Sequence, residues 1–307
     1  MSGFRVLEPG ILSQFQDKGR FGYHAMGLTT GGPVDGEAFY WANRLAGNQQ
    51  GDTVIEVAVG GLKLESEVAT SMAVAGAALP LKINGQTKAL WRSHQVGPGD
   101  VVDLRHAEKG MRAYLAVAGG FAAKRMFGST STVVREGMGA SLIEGQTLEC
   151  GAQVREPMAL PMGCIPRYAD EVLLRIVPGY QFDRFSEAAR EKFMSGTFTM
   201  SNRSDRMGSR LEGVMIEPPS GGSLSEGTCL GAVQVPPDGQ PIVLMNDRQT
   251  IGGYPKLGSV LSVDLWKLGQ CRPGFQVRFK AITMEAAEGA VRQETEALET
   301  VELKYAE

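Results

Sequence analysis

The stretch SEGTCLGAVQVPPDGQPIVLMNDRQTIGGYP, residues 225–255, decides how this sequence is interpreted. Two short apolar runs, residues 232–235 and 241–245, have the length of β-strands, and the Pro-Pro-Asp-Gly at residues 236–239 has the composition of a tight turn. The sequence therefore predicts a hairpin whose second strand runs directly into the polar residues 246–250.

This polar exit, NDRQT at residues 246–250, is the strongest indication of function. Several polar groups at the end of a buried strand are compatible with a concave binding site, whose wall some of them would line. Gly252 and Gly253 let backbone amides approach a ligand oxygen, because no Cβ stands in the way. The competing interpretation is a structural hairpin loop in which Asp247 and Arg248 pair with each other.

We predict a site built from this segment and from the turn-rich loop that precedes it at residues 202–208. The predicted catalytic residues are Asp247, Arg248, Gln249 and Thr250. The predicted substrate-binding residues share polar or glycine chemistry near these loops: Gln234, Gln240, Gly252, Gly253, Tyr254, Ser204, Asp205, Arg206 and Glu226. No metal ligands are predicted, because the three histidines lack the spacing of a metal site.

Length and composition indicate a globular chain of ordinary type. Its 307 residues exceed what one core usually serves, so two domains are expected. Hydrophobic residues make up 43% of the chain, charged residues 21%, and the net charge is -3. With no basic cluster, this charge argues against nucleic-acid binding.

The four cysteines are widely spaced and form no Cys-x-x-Cys pair, which indicates free thiols. The sequence also shows no apolar run typical of a targeting signal or of a membrane-spanning helix, so we expect a cytoplasmic protein without a membrane association. The sequence also has no Gly-x-x-x-x-Gly-Lys-Ser/Thr loop and no Gly-x-Ser-x-Gly elbow. Neither a phosphate-binding loop nor a serine-hydrolase motif is therefore expected.

Forty glycines and frequent turn signals between short apolar runs predict a mainly β fold with short helices. Helices are predicted over residues 36–45, 187–193 and 263–268, the second capped by Ser186. Asn84-Gly85 predicts a hairpin turn. The predicted strands include residues 54–59, 62–64, 71–75, 79–83, 101–104, 112–117, 173–177, 214–216 and 276–282.

A proline-containing stretch without periodicity, residues 153–170, indicates a linker. We therefore predict an N-terminal β domain over residues 1–160 and a C-terminal β domain over residues 161–290 that carries the signature loop. Residues 291–307 are predicted to form a tail, either an exposed helix or a frayed end.

Several further motifs lie in the same order as the signature segment: residues 16–22 (QDKGRFG), 42–48 (ANRLAGN), 112–120 (RAYLAVAGG), 128–132 (GSTST) and 204–208 (SDRMG). With them, the chain over residues 9–287 resembles the allophanate hydrolase subunit 2-like proteins, also called the biotin-dependent carboxyltransferase family. The resemblance implies two cyclophilin-like β-barrel domains in tandem.

The resemblance also implies a function. It suggests a protein similar to the C component of a multi-subunit, ATP-dependent 5-oxoprolinase, which opens 5-oxoproline to glutamate. The implied partners are a B component of the allophanate hydrolase subunit 1 type and, as a further partner, an A component. One alternative is the carboxyltransferase component of a urea carboxylase-like system, with carboxybiotin as donor. Another is a regulatory protein that binds a kinase inhibitor.

The two enzymatic hypotheses make different chemical demands. Carboxyl transfer needs desolvation, donors for an oxyanion and placement of the acceptor nitrogen, so amides, glycines and an arginine suffice. ATP-dependent lactam opening needs a nucleotide site with cationic clamps and carboxylates that hold a metal. The candidates for that nucleotide site are Arg206, Arg210 and Arg248 with Asp205 and Asp247.

Overall fold

The structure, a computed structural model, describes residues 2–221 and 224–306. The chain divides into two compact units that do not follow the predicted residue bounds. The first unit holds the chain up to residue 21, residues 31–168 and the chain from residue 301 onward, and the second holds residues 22–30 and 169–300. Both units are built mainly of β-strands, so the predicted mainly β fold is confirmed.

The first unit contains two sheets. One has the strand order β11-β1-β4-β9-β6-β7, and the other has the order β2-β3-β10-β5-β8-β12-β22. The strands are β1 (Gly3–Pro9), β2 (Leu12–Gln16), β3 (Val54–Ala58), β4 (Leu62–Ser66), β5 (Thr70–Ala78), β6 (Leu81–Ile83), β7 (Gln86–Lys88), β8 (Arg92–Val96), β9 (Val101–Leu104), β10 (Lys109–Val117), β11 (Thr147–Glu149), β12 (Met158–Ala159) and β22 (Lys304–Tyr305).

Alternating side chains from both sheets fill one core in the first unit. Phe4 and Leu64 come from the first sheet, and Ile55, Met72 and Leu115 come from the second; all five are fully buried. The predicted Asn84-Gly85 turn joins β6 to β7, and both residues have positive φ, as a tight hairpin turn requires.

Helix α1 (Gly36–Leu45) covers β5 and β10 in this unit. The Asp35 carboxylate caps it by accepting a hydrogen bond from Ala38 N at 2.9 Å. Trp41 and Leu45 lie on its buried face, so helical spacing places the apolar side chains toward the sheet. The helix matches the predicted range.

Two of the motif stretches meet around Asp17 in the first unit. The Asp17 carboxylate accepts hydrogen bonds from Gly19 N at 2.9 Å, Ser129 Oγ at 2.5 Å, Thr130 N at 2.8 Å and Ser131 Oγ at 2.7 Å. Asp17 is only 3% exposed. These donors satisfy a buried charge and fix the loop after β2 to the segment near residue 130.

The second unit contains a closed barrel with the strand order β13-β20-β17-β18-β15-β14-β21. A separate two-stranded ladder joins β16 to β19. The strands are β13 (Glu171–Pro178), β14 (Phe198–Met200), β15 (Gly208–Gly213), β16 (Glu226–Gly227), β17 (Ala232–Gln234), β18 (Ile242–Leu244), β19 (Ile251–Gly252), β20 (Lys256–Val260) and β21 (Gln276–Ala281). Because strands β17 and β18 pair as antiparallel neighbours, the predicted hairpin forms in the barrel wall.

The helices of the second unit are α2 (Glu187–Ser195), α3 (Leu265–Gln270) and α4 (Met284–Thr300). Ser186 caps α2 by accepting a hydrogen bond from Ala189 N, as predicted. The fully buried Asp264 accepts three hydrogen bonds from Arg175, whose Nη2 also binds Glu294 on α4. This ion pair ties the last helix to strand β13.

Two parts of the chain differ from the sequence-based expectation. Residues 214–216, predicted as a strand, are not in one; the strand is β15, which ends at Gly213 with a φ of 138° that breaks the extended run. Within the predicted tail, residues 291–300 form the end of α4, in agreement with the predicted exposed helix, whereas β22, which pairs with β12, was not predicted. No helix of the described chain has the length and apolarity needed to cross a membrane.

Candidate functional site

The candidate site lies where the chain leaves β18 in the second unit. Beyond Leu244, the backbone stays fastened to the loop before β15: Met245 N donates to Met207 O at 2.9 Å, and Asp247 N donates to Arg206 O at 2.8 Å. These bonds hold residues 246–250 against the barrel end, and Asn246, Asp247, Arg248 and Thr250 are all buried there. The polar exit is therefore a buried segment, not a solvent-facing loop.

Asp247 pairs with Arg206 in a two-point ion pair. Arg206 Nε donates to Asp247 Oδ2 and Arg206 Nη2 donates to Asp247 Oδ1, both at 2.9 Å. Both residues are less than a tenth exposed. The alternative in which Asp247 and Arg248 neutralise each other is wrong, because the carboxylate is used by Arg206.

Arg248 is buried with no counter-ion in the part of the chain that the structure describes. It is 6% exposed, and its Nε and Nη1 atoms are buried there without a hydrogen-bond acceptor. Burial lowers the pKa of the guanidinium, while the electrostatic interaction with the nearby Cys229 acts in the opposite direction. A buried cation without a partner is destabilising by several kcal/mol, so this group is suited to receive an anion.

Two amide side chains supply further donors beside this segment. Gln249 Nε2 donates to Gln234 Oε1 at 3.3 Å, which leaves the Gln234 amide nitrogen buried and without an acceptor among the described residues. A Cβ on Gly252 would lie 2.6 Å from that nitrogen. Glycine at position 252 therefore keeps a buried N–H donor open to a ligand oxygen.

Thr228 holds the two sides of this arrangement together. Its backbone N donates to Thr250 O at 3.0 Å, and its hydroxyl donates to Gln249 O. Thr228 was not predicted from the sequence; its place in the polar run before the first hairpin strand was the only available signal. Thr29 was not predicted either. Its hydroxyl donates to Asn246 O at 3.0 Å from a segment more than two hundred positions away.

Besides Arg206 and Gln234, four other predicted substrate-binding side chains make contacts within the protein. Ser204 Oγ accepts from Arg210 N, and Asp205 Oδ1 accepts from Met207 N and Gly208 N in a turn. Gln240 Oε1 accepts from Gly213 N at 2.9 Å.

Glu226, the fourth of these side chains, binds Lys256, Tyr180 and Gln181. The hydrogen bond from the Lys256 ammonium is the main reason why the pKa of Glu226 lies below its ordinary value. Of the remaining predicted residues, Gly253 is half-buried and the Tyr254 side chain is 45% exposed.

The carboxylates predicted for a nucleotide site make contacts within the protein. Asp247 is occupied by Arg206, Asp205 caps a turn, and Arg210 is exposed. Within residues 2–221 and 224–306, no group of three or more His, Cys, Asp or Glu side chains is arranged to hold a metal ion. The arrangement around Arg248 is instead suited to bind a small anion and to donate hydrogen bonds to its neighbouring oxygen atoms.

Comparison with known families identifies the chain. The family described as "Carboxyltransferase domain, subdomain A and B" matches residues 26–281. The chain belongs to this carboxyltransferase domain family. The match includes the signature segment, residues 225–255, and therefore the whole Arg248 site.

Similar curated proteins fall into two groups. The carboxyltransferase-domain chain is 34% identical to the 5-oxoprolinase C component of Haemophilus influenzae and 32% identical to that of Escherichia coli. In both cases the alignment covers 92% of this chain and 92% of the relative. It is 28% identical to urea amidolyase of Lachancea kluyveri, with 97% of this chain matched to 18% of that protein.

Solved structures also include a urea amidolyase. The K. lactis urea amidolyase gives a TM-score of 0.90 at 26% identity, over 98% of this chain and 20% of its own. TTHA0988 superposes with a TM-score of 0.84 at 36% identity, over 91% of this chain and 55% of its own. The carboxyltransferase-domain chain thus spans about a fifth of the first protein and half of the second.

Proposed function

We propose that this protein is the equivalent of the C component of an ATP-dependent 5-oxoprolinase and that 5-oxoproline binds at Arg248. The observation that carries the proposal is a buried guanidinium with no acceptor for Nε and Nη1 in the described chain, in a segment that also holds the Gln234 amide donor. Support also comes from two relatives that carry the name of this 5-oxoprolinase component and match over nearly their whole length.

The substrate has chemical groups that correspond to these donors. 5-Oxoproline is a small ring with one carboxylate and one lactam carbonyl. Arg248 would receive the carboxylate in a charge-assisted pair, and the Gln234 amide would donate to a substrate oxygen. The Arg206–Asp247 pair positions the segment without itself contacting the substrate.

ATP and the partner chains belong to the same proposal. ATP supplies the phosphoryl group that activates the stable lactam toward water. Because Asp205 and Asp247 are committed to protein contacts, we assign nucleotide binding to a partner, either a B component of the allophanate hydrolase subunit 1 type or an A component. This chain would then bind and orient the lactam and exclude water from it.

A second candidate function is carboxyl transfer in a urea carboxylase-like system. The family description and the TM-score of 0.90 to urea amidolyase support it. Carboxybiotin also carries a carboxylate that Arg248 would hold, with the Gln234 amide and the Gly252 backbone beside it. When bound, that cofactor would supply an activated carboxyl group for an acceptor nitrogen.

The variant Arg248→Gln tests the proposal. In the enzyme assembled with its partner proteins, we measure ATP hydrolysis that depends on 5-oxoproline, and we expect the KM to rise by about a hundredfold because the carboxylate loses a buried cation. The exposed Arg210→Gln is the matched control and should leave the KM unchanged. The uncharged parent lactam should bind wild type and Arg248→Gln equally weakly.

Two other results would replace the proposal. Carboxylation of urea or a guanidine from carboxybiotin, with no oxoproline-dependent ATP hydrolysis, would establish the second candidate. If Arg248→Gln and Asp247→Ala leave every activity intact while the chain still binds a kinase inhibitor, the regulatory alternative is favoured instead.

A further inference from the structure

A second concave site lies in the first unit, on residues that the proposed function does not use. A cavity of about 370 Å³ opens between the β6–β7 hairpin and strand β8. Its lining residues are Ile83, Asn84, Gln86, Lys88, Arg92, Ser93, His94, Gln95, Pro157 and Ala306. The volume falls within the range of small-molecule sites, which begins at roughly 300 Å³.

The lining is basic, and no acidic side chain of residues 2–221 and 224–306 contributes to it. Lys88, Arg92 and His94 supply three basic groups, while the other lining residues are neutral. The basic groups are close enough to affect one another: burial lowers the pKa of His94, the carbonyl of Ala89 opposes this, and the charges of Arg92 and Lys88 lower it further. Like charges held together in a concave surface repel each other and attract an anion.

The strands hold these groups in place. Ser93 Oγ accepts from Met158 N at 2.8 Å, and Gln95 Nε2 donates to Arg155 O at 3.0 Å, so β8 is fixed to the chain at both of these residues. The Lys88 ammonium makes one long hydrogen bond, to Gln86 Oε1 at 3.4 Å, within the described residues. Lys88 therefore has donors available on a rigid support.

We propose that this cavity binds a small oxyanion, one that carries a carboxylate or a phosphate group, between Lys88, Arg92 and His94. The anion would relieve the mutual repulsion of the basic groups and accept hydrogen bonds from the lysine and arginine. The residues of this cavity and Arg248 lie in different compact units.

Histidine NMR of the full chain tests the proposal. The protein has three histidines, so the imidazole signals can be assigned by the variants His24→Gln and His106→Gln. We titrate inorganic phosphate and, separately, succinate. Binding should raise the His94 pKa by about one unit, a tenfold gain in proton affinity, because the anion offsets the charges of Arg92 and Lys88. His24 and His106 should not respond.

Variants give the matched controls. Arg92→Gln and, as a milder change, Lys88→Gln should each weaken anion binding, measured by the response of the His94 signal, about tenfold or more. Lys82 lies on the same hairpin but outside the cavity lining, so Lys82→Gln should leave the response of His94 unchanged. A response to phosphate alone or to succinate alone would identify which oxyanion the site accepts. No shift of His94 with either anion, or an equal shift in Arg92→Gln, would overturn the proposal.

Discussion

Asp17 keeps a carboxylate charge inside the first unit because hydrogen bonds replace the water it loses. Burial alone would raise its pKa, but the donors Ser129 and Ser131 and the backbone of Thr130 and Gly19 outweigh burial and hold the pKa below its ordinary value. Removing the carboxylate leaves several buried donors without an acceptor. Asp17 therefore links two distant stretches of sequence.

We expect Asp17→Ala to destabilise the first unit by roughly 3 kcal/mol. The measurement is urea unfolding followed by circular dichroism. Glu8→Gln is the matched control: Glu8 makes an exposed ion pair with Lys63, and its loss should change the free energy of unfolding by less than about 0.5 kcal/mol. Equal effects of the two variants would contradict the structural role of Asp17.

The same carboxylate predicts how stability depends on pH. Since the folded pKa of Asp17 lies below the unfolded value, its contribution is present above that unfolded value, about 3.9, and is lost as the pH falls through the folded pKa. In Asp17→Asn, stability should therefore fall less steeply on acidification below about pH 4 than in wild type. Parallel pH profiles of unfolding would show that Asp17 does not control this loss.

At the scale of elements, the ladder between β16 and β19 contains Gly252, whose Cα lies beside the Gln234 amide of the Arg248 site. Gly227 and Gly252 both lie in this ladder but have different surroundings. A Cβ at position 252 would meet Gln234 Nε2 at 2.6 Å, whereas a Cβ at position 227 would meet nothing within 4 Å. The pair offers a controlled way to narrow the site without altering its charge.

Gly252→Ala should raise the KM for 5-oxoproline by about tenfold, because the new methyl group displaces the Gln234 amide. Gly227→Ala should leave the KM unchanged. Steady-state kinetics of the assembled enzyme measures both, and thermal unfolding of each variant confirms that the barrel remains intact. An unchanged KM in Gly252→Ala would place the substrate away from Gln234.

Local elements were largely predictable from the sequence. Helix α1 matches its predicted range because apolar spacing and the Gly47-Asn48 stop act locally, and α2 begins after Ser186 as predicted. The sequence also predicted the polar exit at residues 246–250 as a site, and this assignment stays a prediction. Its internal pairing was not, because the partner of Asp247 lies 41 positions earlier and local spacing favours the adjacent Arg248 equally well.

At the scale of the whole molecule, neither compact unit is a continuous stretch of chain. Residues 22–30 belong to the second unit although residues on both sides of them belong to the first. Thr29, fully buried, bonds Asn246 next to the Arg248 site. The predicted boundary at residue 160 rests on composition, which reports only on neighbours along the chain. Nothing in that composition indicates that residues 22–30, the exchanged segment, belong to the second unit.

A fragment of residues 169–300 should therefore be less stable than the same fragment with the peptide 22–30 added. We expect the peptide to raise the Tm by several degrees, since it supplies buried contacts that include Thr29. Circular dichroism measures the melting, and a peptide of scrambled sequence is the control. Identical melting with both peptides would show that the exchanged segment does not stabilise the barrel.

The late strand Lys304–Tyr305 also has a consequence for biosynthesis. It pairs with Met158–Ala159, which are synthesised before residues 169–300 of the second unit. At ordinary translation rates, the time between synthesis of Met158–Ala159 and synthesis of Lys304–Tyr305 is on the order of ten seconds. Throughout that time the nascent first unit exposes an uncovered edge strand, so chaperone protection during synthesis should matter more for this protein than its finished fold suggests.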